Sequence, residues 1–232
     1  MITNLMQCSP LVSKIDNDVF QIMLLKMKRE RWPRDHYLTT QSFLTQRFFI
    51  LLKGRIKIVQ HHFNNGRELT LFLLGPGDGF NIMSLIDRGG KNYQLTTLDE
   101  VEILSASVDQ WLEWIERYPS VRKSVEEYSA SQIQRLSELA SELALDDTMT
   151  RLIHLLIRYY DTPDTLAACN LIKGLSQEEL AQLIGTVRPV VARLLGELRR
   201  SGLIDMANGE LRILDKQGLL LTANKNQSCL TV

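Results

Sequence analysis

Cysteine is scarce in this 232-residue chain: three residues, Cys8, Cys169 and Cys229, stand far apart with no CxxC spacing. That excludes a disulfide frame and a four-cysteine metal or iron–sulfur site, and it suits a reducing compartment. Long hydrophobic runs are missing too; none approaches the roughly 18 residues that a membrane span needs. The opening residues, MITNLMQCSPLVSK, lack a basic segment followed by an apolar core, so no signal peptide is read there. Net charge is absent, with 27 Lys and Arg against 27 Asp and Glu. The expectation is a soluble cytoplasmic protein, long enough for one large domain or two modest ones.

A zero total does not exclude a nucleic-acid partner, because the distribution of charge matters more. Residues 1–60 hold ten Lys and Arg against four Asp and Glu, whereas residues 107–147 hold four against nine. Hydrophobic patterning divides the chain further. Residues 1–30 show helical spacing (Val19, Ile22, Met23, Lys26, Met27). From Trp32 to about Ser107, short apolar or alternating runs (FFILL, IKIVQ, LTLFLL, YQLTTL, VEILSAS) alternate with turn signals at Lys53-Gly54, Asn64-Asn65-Gly66 and GPGDG. Strands of that length and spacing predict an antiparallel barrel or sandwich.

Residues 109–145 return to helix, with Pro119 opening a long one. Within it Ile133, Leu136, Ala140 and Leu143 follow the 3-4-3 spacing of a paired-helix seam, which predicts a homodimer through this helix, with packing against the chain's own barrel as the alternative. Asp146-Asp147-Thr148 interrupts the stripe and can cap the next helix, MTRLIHLLIRYY. The division expected is 1–108, 109–146 and 147–232. DTPDTLAACN reads as a loop, and ANKNQSCLTV as a frayed tail.

The stretch LSQEELAQLIGTVRPVVARLLGELRRSGLI holds four arginines and one glutamate between Thr186 and Gly202. Ser176 and Glu179 form a capping box, and Leu175 and Leu180 have the spacing of a hydrophobic staple. Gly185 can take the left-handed position that ends the first helix. Thr186 is expected to cap the second helix, which tolerates Pro189 in its first turn. At 100° per residue, Val187, Val190, Val191, Leu194, Leu195 and Leu198 share one side. Pro189, Ala192 and Gly196 run down the other, with Arg188 and Arg199 along one edge and Arg193 and Arg200 along the opposite edge. Small residues let a helix approach a groove floor, while flanking guanidiniums reach guanine edges or phosphates. Arg188 and Arg193 are the expected base readers; Arg199 and Arg200 are expected to meet phosphate or solvent. Ser176, Gln177, Thr186 and Pro189 complete the DNA-contacting set. The hairpin LIDMANGELRIL, with an Asn208-Gly209 turn, adds a wing. Helix, glycine turn, helix and hairpin make a winged helix-turn-helix for double-stranded DNA.

A strand-rich N-terminal half, a long central helix and this C-terminal module together resemble the Crp/Fnr superfamily of bacterial transcription regulators. FFILLKGRIKI, GPGDGFNIMSL and LALDDTMTRL carry the likeness along with the arginine-rich stretch, and RLLGELR is similar to the cyanobacterial nitrogen-control group. The resemblance implies an α+β fold: an antiparallel β-roll of the cyclic-nucleotide-binding type, a dimerisation helix and a winged helix-turn-helix. It also implies a palindromic operator read by a dimer, and RNA polymerase as a partner. Arg188 and Arg193 match the family's R-x-x-x-x-R reading motif, although Pro189 replaces the glutamate that follows the first arginine in cyclic-AMP receptors.

The family's effector cassette needs a Gly-Glu pair and, about ten residues on, an Arg-Ser pair; here those positions hold Asn81-Ile82 and Asn92-Tyr93. Where the nitrogen-control group holds 2-oxoglutarate, this chain has Tyr93, Gln132 and Ser137; Arg88, Lys91 and Arg135 are nearby cations, expected to be solvated, with substitution for the missing arginine as the alternative. Haem-binding relatives place their ligands at Asn81 and Met83, and Met83 reads as core packing. The expectation is an altered or absent small-molecule site around Phe80, Asn81, Ile82, Met83, Tyr93 and Gln132, no cofactor and no metal. His61 and His62, adjacent on a strand, point to opposite faces and cannot close on one ion. GPGDG lacks the Gly-Lys-Ser/Thr ending of a phosphate loop and reads as a turn. Two alternatives compete with the regulator: a cupin-like enzyme, for which candidate residues are thin, and a ligand-sensing module without DNA affinity.

Overall fold

The computed structural model describes residues 9–39, 46–61, 66–86, 94–160, 171–207 and 210–228. Among them, residues up to 60 together with 72–135 form one compact unit, and 61–71 with those from 136 onward form another. Helix α1 (Asn17–Lys26) precedes strands β1 (Lys28–Trp32), β2 (Tyr37–Thr39), β3 (Arg47–Lys53), β4 (Ile56–His61), β5 (Glu68–Leu74) and β6 (Gly79–Phe80). A short helix α2 (Met83–Ile86), strands β7 (Gln94–Thr97) and β8 (Val101–Ser107), and helices α3 (Val108–Arg117) and α4 (Pro119–Leu145) follow. The strands form two four-stranded sheets, in the orders β1-β8-β3-β6 and β2-β7-β4-β5. The pairings of β1, β3 and β6 with their neighbours, and of β7 with β2 and β4, are antiparallel.

The unbroken FFILL run in β3 follows from burial on both faces. Phe48, Ile50 and Leu52 point into one core, with Phe20, Met23, Trp111, Trp114 and Tyr128 from the helices. Phe49 and Leu51 point into a second core, with Trp32, Leu74, Phe80, Leu95 and Ile103. Strand period two sends alternate residues to opposite faces, so a strand with two covered faces cannot show polar alternation.

Helical spacing across residues 1–30 overreaches. The helix stops at Lys26, and KRERW is strand β1. Its residues pair with β8 from Lys28↔Ser105 to Trp32↔Val101, and only Trp32 is buried. Ladder hydrogen bonds and the Trp32 anchor outweigh the apolar period here. Ile22 is correspondingly 44% exposed.

GPGDG is a turn, as expected, and it docks on helix α4. Gly75 N–H donates to Asp78 Oδ2 at 2.9 Å, and Tyr128 Oη accepts from Gly79 N–H at 2.9 Å while donating to Gly79 O at 2.8 Å. Arg135, read from sequence as solvated, lies with Nη1 3.7 Å from Asp78 Oδ1. Two turns separate Tyr128 from Arg135, so one helix face presents both to the turn. Burial pushes the Asp78 carboxyl above its ordinary range, opposed by Arg135, the Gly75 N–H and Tyr128. A raised folded value means stability that is present below the unfolded carboxyl range and lost as pH rises through the folded value. Arg135→Met removes the largest opposing charge and lifts that value further. The difference in melting temperature between the parent and Arg135→Met should therefore be small at acid pH and grow toward pH 8. A constant gap in thermal unfolding across that range would refute the pairing.

Asp147 Oδ1 accepts from Thr150 N–H at 2.7 Å and so caps α5 (Thr148–Tyr160), as the Asp-Asp-Thr break predicts. Beyond it lie α6 (Gln177–Leu183), α7 (Arg188–Arg200), the antiparallel pair β9 (Ile204–Ala207) and β10 (Glu210–Ile213), and α8 (Lys216–Ser228). DTPDTLAACN and the Asn208-Gly209 turn lie outside the described residues. The expected frayed tail is in its first part helix: Asp215 Oδ1 accepts from Gly218 N–H at 2.9 Å, and Leu219 and Ala223 are buried. A cap and two core anchors one turn apart outweigh the polar composition of ANKNQS.

Candidate nucleic-acid interface

The capping box forms in full. Ser176 Oγ accepts from Glu179 N–H at 3.2 Å, and Glu179 Oε2 accepts from Ser176 N–H at 2.6 Å. Leu175 and Leu180, the staple pair, both join the core of this unit. Gly185 has φ +68°, and Thr186 N–H reaches back to Ala181 O at 2.9 Å, closing a Schellman turn after α6. One correction concerns α7: its N-cap is Val187 rather than Thr186, with no side-chain capping bond, because the first hydrogen bonds of the helix run from Val190 and Val191 N–H to Val187 O. Val187 is also 43% exposed, not on the buried side where the wheel puts it, because it precedes the helix and does not follow its period.

From Val190 on, the wheel holds. Val191, Leu194, Leu195 and Leu198 are buried and Val190 is half-buried, packed with Leu152, Ile153, Leu156, Leu180, Ile184, Ile204 and Ile213. Pro189 and Ala192 are exposed and Gly196 is half-buried. A Cβ built on Gly196 would meet only Arg200 Nη1, at 4.0 Å. Nothing among the described residues demands glycine there, yet glycine costs a helix interior about 1 kcal/mol relative to alanine. Space kept on an outward face at that cost suits a partner surface. Arg188, Arg193, Arg199 and Arg200 are all exposed around this strip, as is Ser176, while Gln177 and Thr186 are half-buried. One feature that helical angles alone did not single out is an ion pair: Arg193 Nη1 donates to Glu197 Oε1 at 3.1 Å. An arginine and a glutamate four residues apart were its signal.

Around the predicted effector positions, Phe80 is buried and stacked on Phe49, with ring centroids 4.6 Å apart. Asn81 takes φ +70° and its Nδ2 donates to Arg47 O at 2.8 Å. Ile82 packs against the helical side of the sheet. Met83 is 40% exposed at the start of α2, not core packing as expected; it opens a short helix and does not fill a strand face. Gln132 is buried, and its Nε2 finds no hydrogen-bond partner among the described residues. Tyr93, Arg88 and Lys91 lie outside the described residues. Among the described residues no group of three or more His, Cys, Asp or Glu is placed to hold a metal ion, and no helix is long and apolar enough to cross a membrane.

Comparison with known proteins matches both halves of the chain. The cyclic nucleotide-binding domain matches residues 29–118, and the Crp-like helix-turn-helix domain matches residues 150–221. A "CRP-like cAMP-activated global transcriptional regulator" of Mycobacterium tuberculosis is 27% identical over 190 residues, covering 81% of this chain and 84% of that protein. A "global nitrogen regulator" of Synechocystis is 28% identical over 173 residues, covering 72% and 76%. The solved structure of the c-di-GMP-responsive global regulator CLP of Xanthomonas campestris shares the fold with a TM-score of 0.72 at 19% identity, covering 85% of this chain and 99% of that one. Two family domains in the expected order, relatives spanning most of both chains and an intact helix-turn-helix lead to one assignment: the chain belongs to the Crp/Fnr family, DNA-binding transcription regulators and not enzymes.

Proposed function

We propose that the protein acts as a homodimer in the cytoplasm and reads a palindromic operator, with one α7 entering each of two major grooves about one helical turn apart. Arg188 and Arg193 read base edges. Arg199 and Arg200, with Ser176, Gln177 and Thr186, meet the backbone. The observation that carries this reading is the exposed side of α7: small residues down its middle, guanidiniums on its edges, and its other side buried in the unit's own core. Residues 147–232 serve as the DNA-binding part, 109–146 as the dimerisation helix and 1–108 as the effector-type part. RNA polymerase is the partner through which binding becomes regulation.

Dimerisation is supported by the seam. Ile133 is 67% exposed, Leu136 and Ala140 are exposed and Leu143 is half-buried, although all four follow a paired-helix spacing. The effector site is altered from both family patterns. Asn81 replaces a ligand-binding position and spends its amide on Arg47 O, and no carboxylate or arginine stands at the cassette positions.

Selecting duplexes from a random pool, with and without small metabolites, tests operator and effector together. Against the selected duplex, Arg188→Ala should lower affinity about 10–100-fold, while random duplex weakens only modestly. An equal fall on both would overturn the assignment of base reading to α7. No salt-dependent duplex binding by the parent protein would overturn the reading as a whole.

A further inference from the structure

Helix α7 carries one carboxylate among its four guanidiniums, and that carboxylate is engaged. Glu197 Oε1 accepts from Arg193 Nη1 at 3.1 Å, one helical turn away, with side chains 36% and 64% exposed. At 100° per residue Arg193, Glu197 and Arg200 lie within about 60° of one another, beside the Pro189, Ala192 and Gly196 strip. Glu197 is the outermost of the three. An exposed pair of this kind barely stabilises a helix. A carboxylate beside a DNA-facing surface also opposes the approach of phosphates. Helix stability and plain affinity therefore both leave the residue without a use.

Discrimination is different. An arginine on a reading helix has two competing partners: phosphate oxygens, which carry no sequence information, and a guanine edge, which does. A freely rotating guanidinium can swing outward to the backbone. Here the outward side is where Glu197 stands. Holding one N–H group fixes the plane of the guanidinium and leaves its other donors facing the strip. The carboxylate also supplies the negative partner that a phosphate would otherwise provide. Resting on the reading of α7 as the recognition helix, we propose that Glu197 is a specificity-determining positioning residue: it tethers Arg193 over the base-facing strip and keeps it off the sugar-phosphate backbone.

The test uses the full chain, its selected duplex and a scrambled duplex, with dissociation constants measured across a salt series. Glu197→Ala should bind the scrambled duplex about 3–10-fold more tightly, and the salt slope should steepen by about one phosphate contact per protomer. Discrimination at the base pair read by Arg193 should fall about tenfold. Glu197→Gln retains an amide oxygen for Arg193 but loses the charge. It should keep most of the base discrimination and still gain scrambled-duplex affinity, which separates tethering from electrostatics. In an Arg193→Ala background, Glu197→Ala should no longer change discrimination. If Glu197→Ala leaves discrimination and salt slope unchanged while Arg188→Ala loses its preference, the Glu197 proposal is overturned and the recognition helix stands. If Arg188→Ala keeps its preference as well, both are overturned.

Discussion

A chain carrying Ile133→Asp and Leu136→Asp should bind its operator about 10²–10⁴-fold more weakly than the parent, with each half-site contact left intact. Two modules joined in one dimer convert the second half-site from a bimolecular to an intramolecular encounter, and that advantage disappears in a monomer. Ile133 is 67% and Leu136 38% exposed, so within one chain neither supports the fold by burial, and the substitutions leave the cores in place. Across a two-fold seam the same carboxylates would face their own copies, desolvated and of like charge. Light scattering should report a monomer. Affinity for an isolated half-site should match that of the parent protomer. A variant that stays dimeric and binds the palindrome normally would place the dimer contact elsewhere.

What was legible in the sequence was whatever local chemistry decides. The box of Ser176 and Glu179 and the left-handed Gly185 involve neighbours only, and they form as read. The β3 run was legible as a strand, yet its burial on both faces needed the second sheet and the helices. Two of the misreadings, those of KRERW and Arg135, share one cause, which is that a partner distant in sequence claimed the residues. KRERW took its conformation from pairing with β8. Thr186 is not the cap because α7 takes its first hydrogen bonds on Val187 O, one residue later. Arg135 found Asp78, 57 positions away, where no local pattern could point. On the outward side of α7, angles put the four arginines where the structure leaves them exposed, while the bond between Arg193 and Glu197 was signalled only by their spacing of four. An effector site was never a local matter, since the residues expected around one, Phe80 to Met83, Tyr93 and Gln132, lie far apart in the sequence.

Phe49→Ala should cost about 3–5 kcal/mol, and the loss should fall on the N-terminal unit. Phe49 is 0% exposed, lies parallel to Phe80 at 4.6 Å between centroids, and meets the edge of Trp32 at 5.6 Å. Three aromatic rings from β1, β3 and β6 thus fill the space under one sheet, and deleting the middle ring leaves a cavity that neighbouring β-strands cannot close without breaking their ladders. A domain's whole stability is about 5–15 kcal/mol, so this one side chain decides a large share of it. All three tryptophans, Trp32, Trp111 and Trp114, belong to the cores of this unit, so tryptophan fluorescence follows it alone. Its thermal midpoint should drop by about 10–20 °C. The core around Leu156, Leu180 and Leu195 contains none of these rings, and the helical signal it contributes to circular dichroism should outlast the fluorescence change. Coincident loss of both signals would show that the two units unfold as one cooperative body, and a midpoint within 3 °C of the parent would mean that the ring stack is not a keystone of the sheet packing.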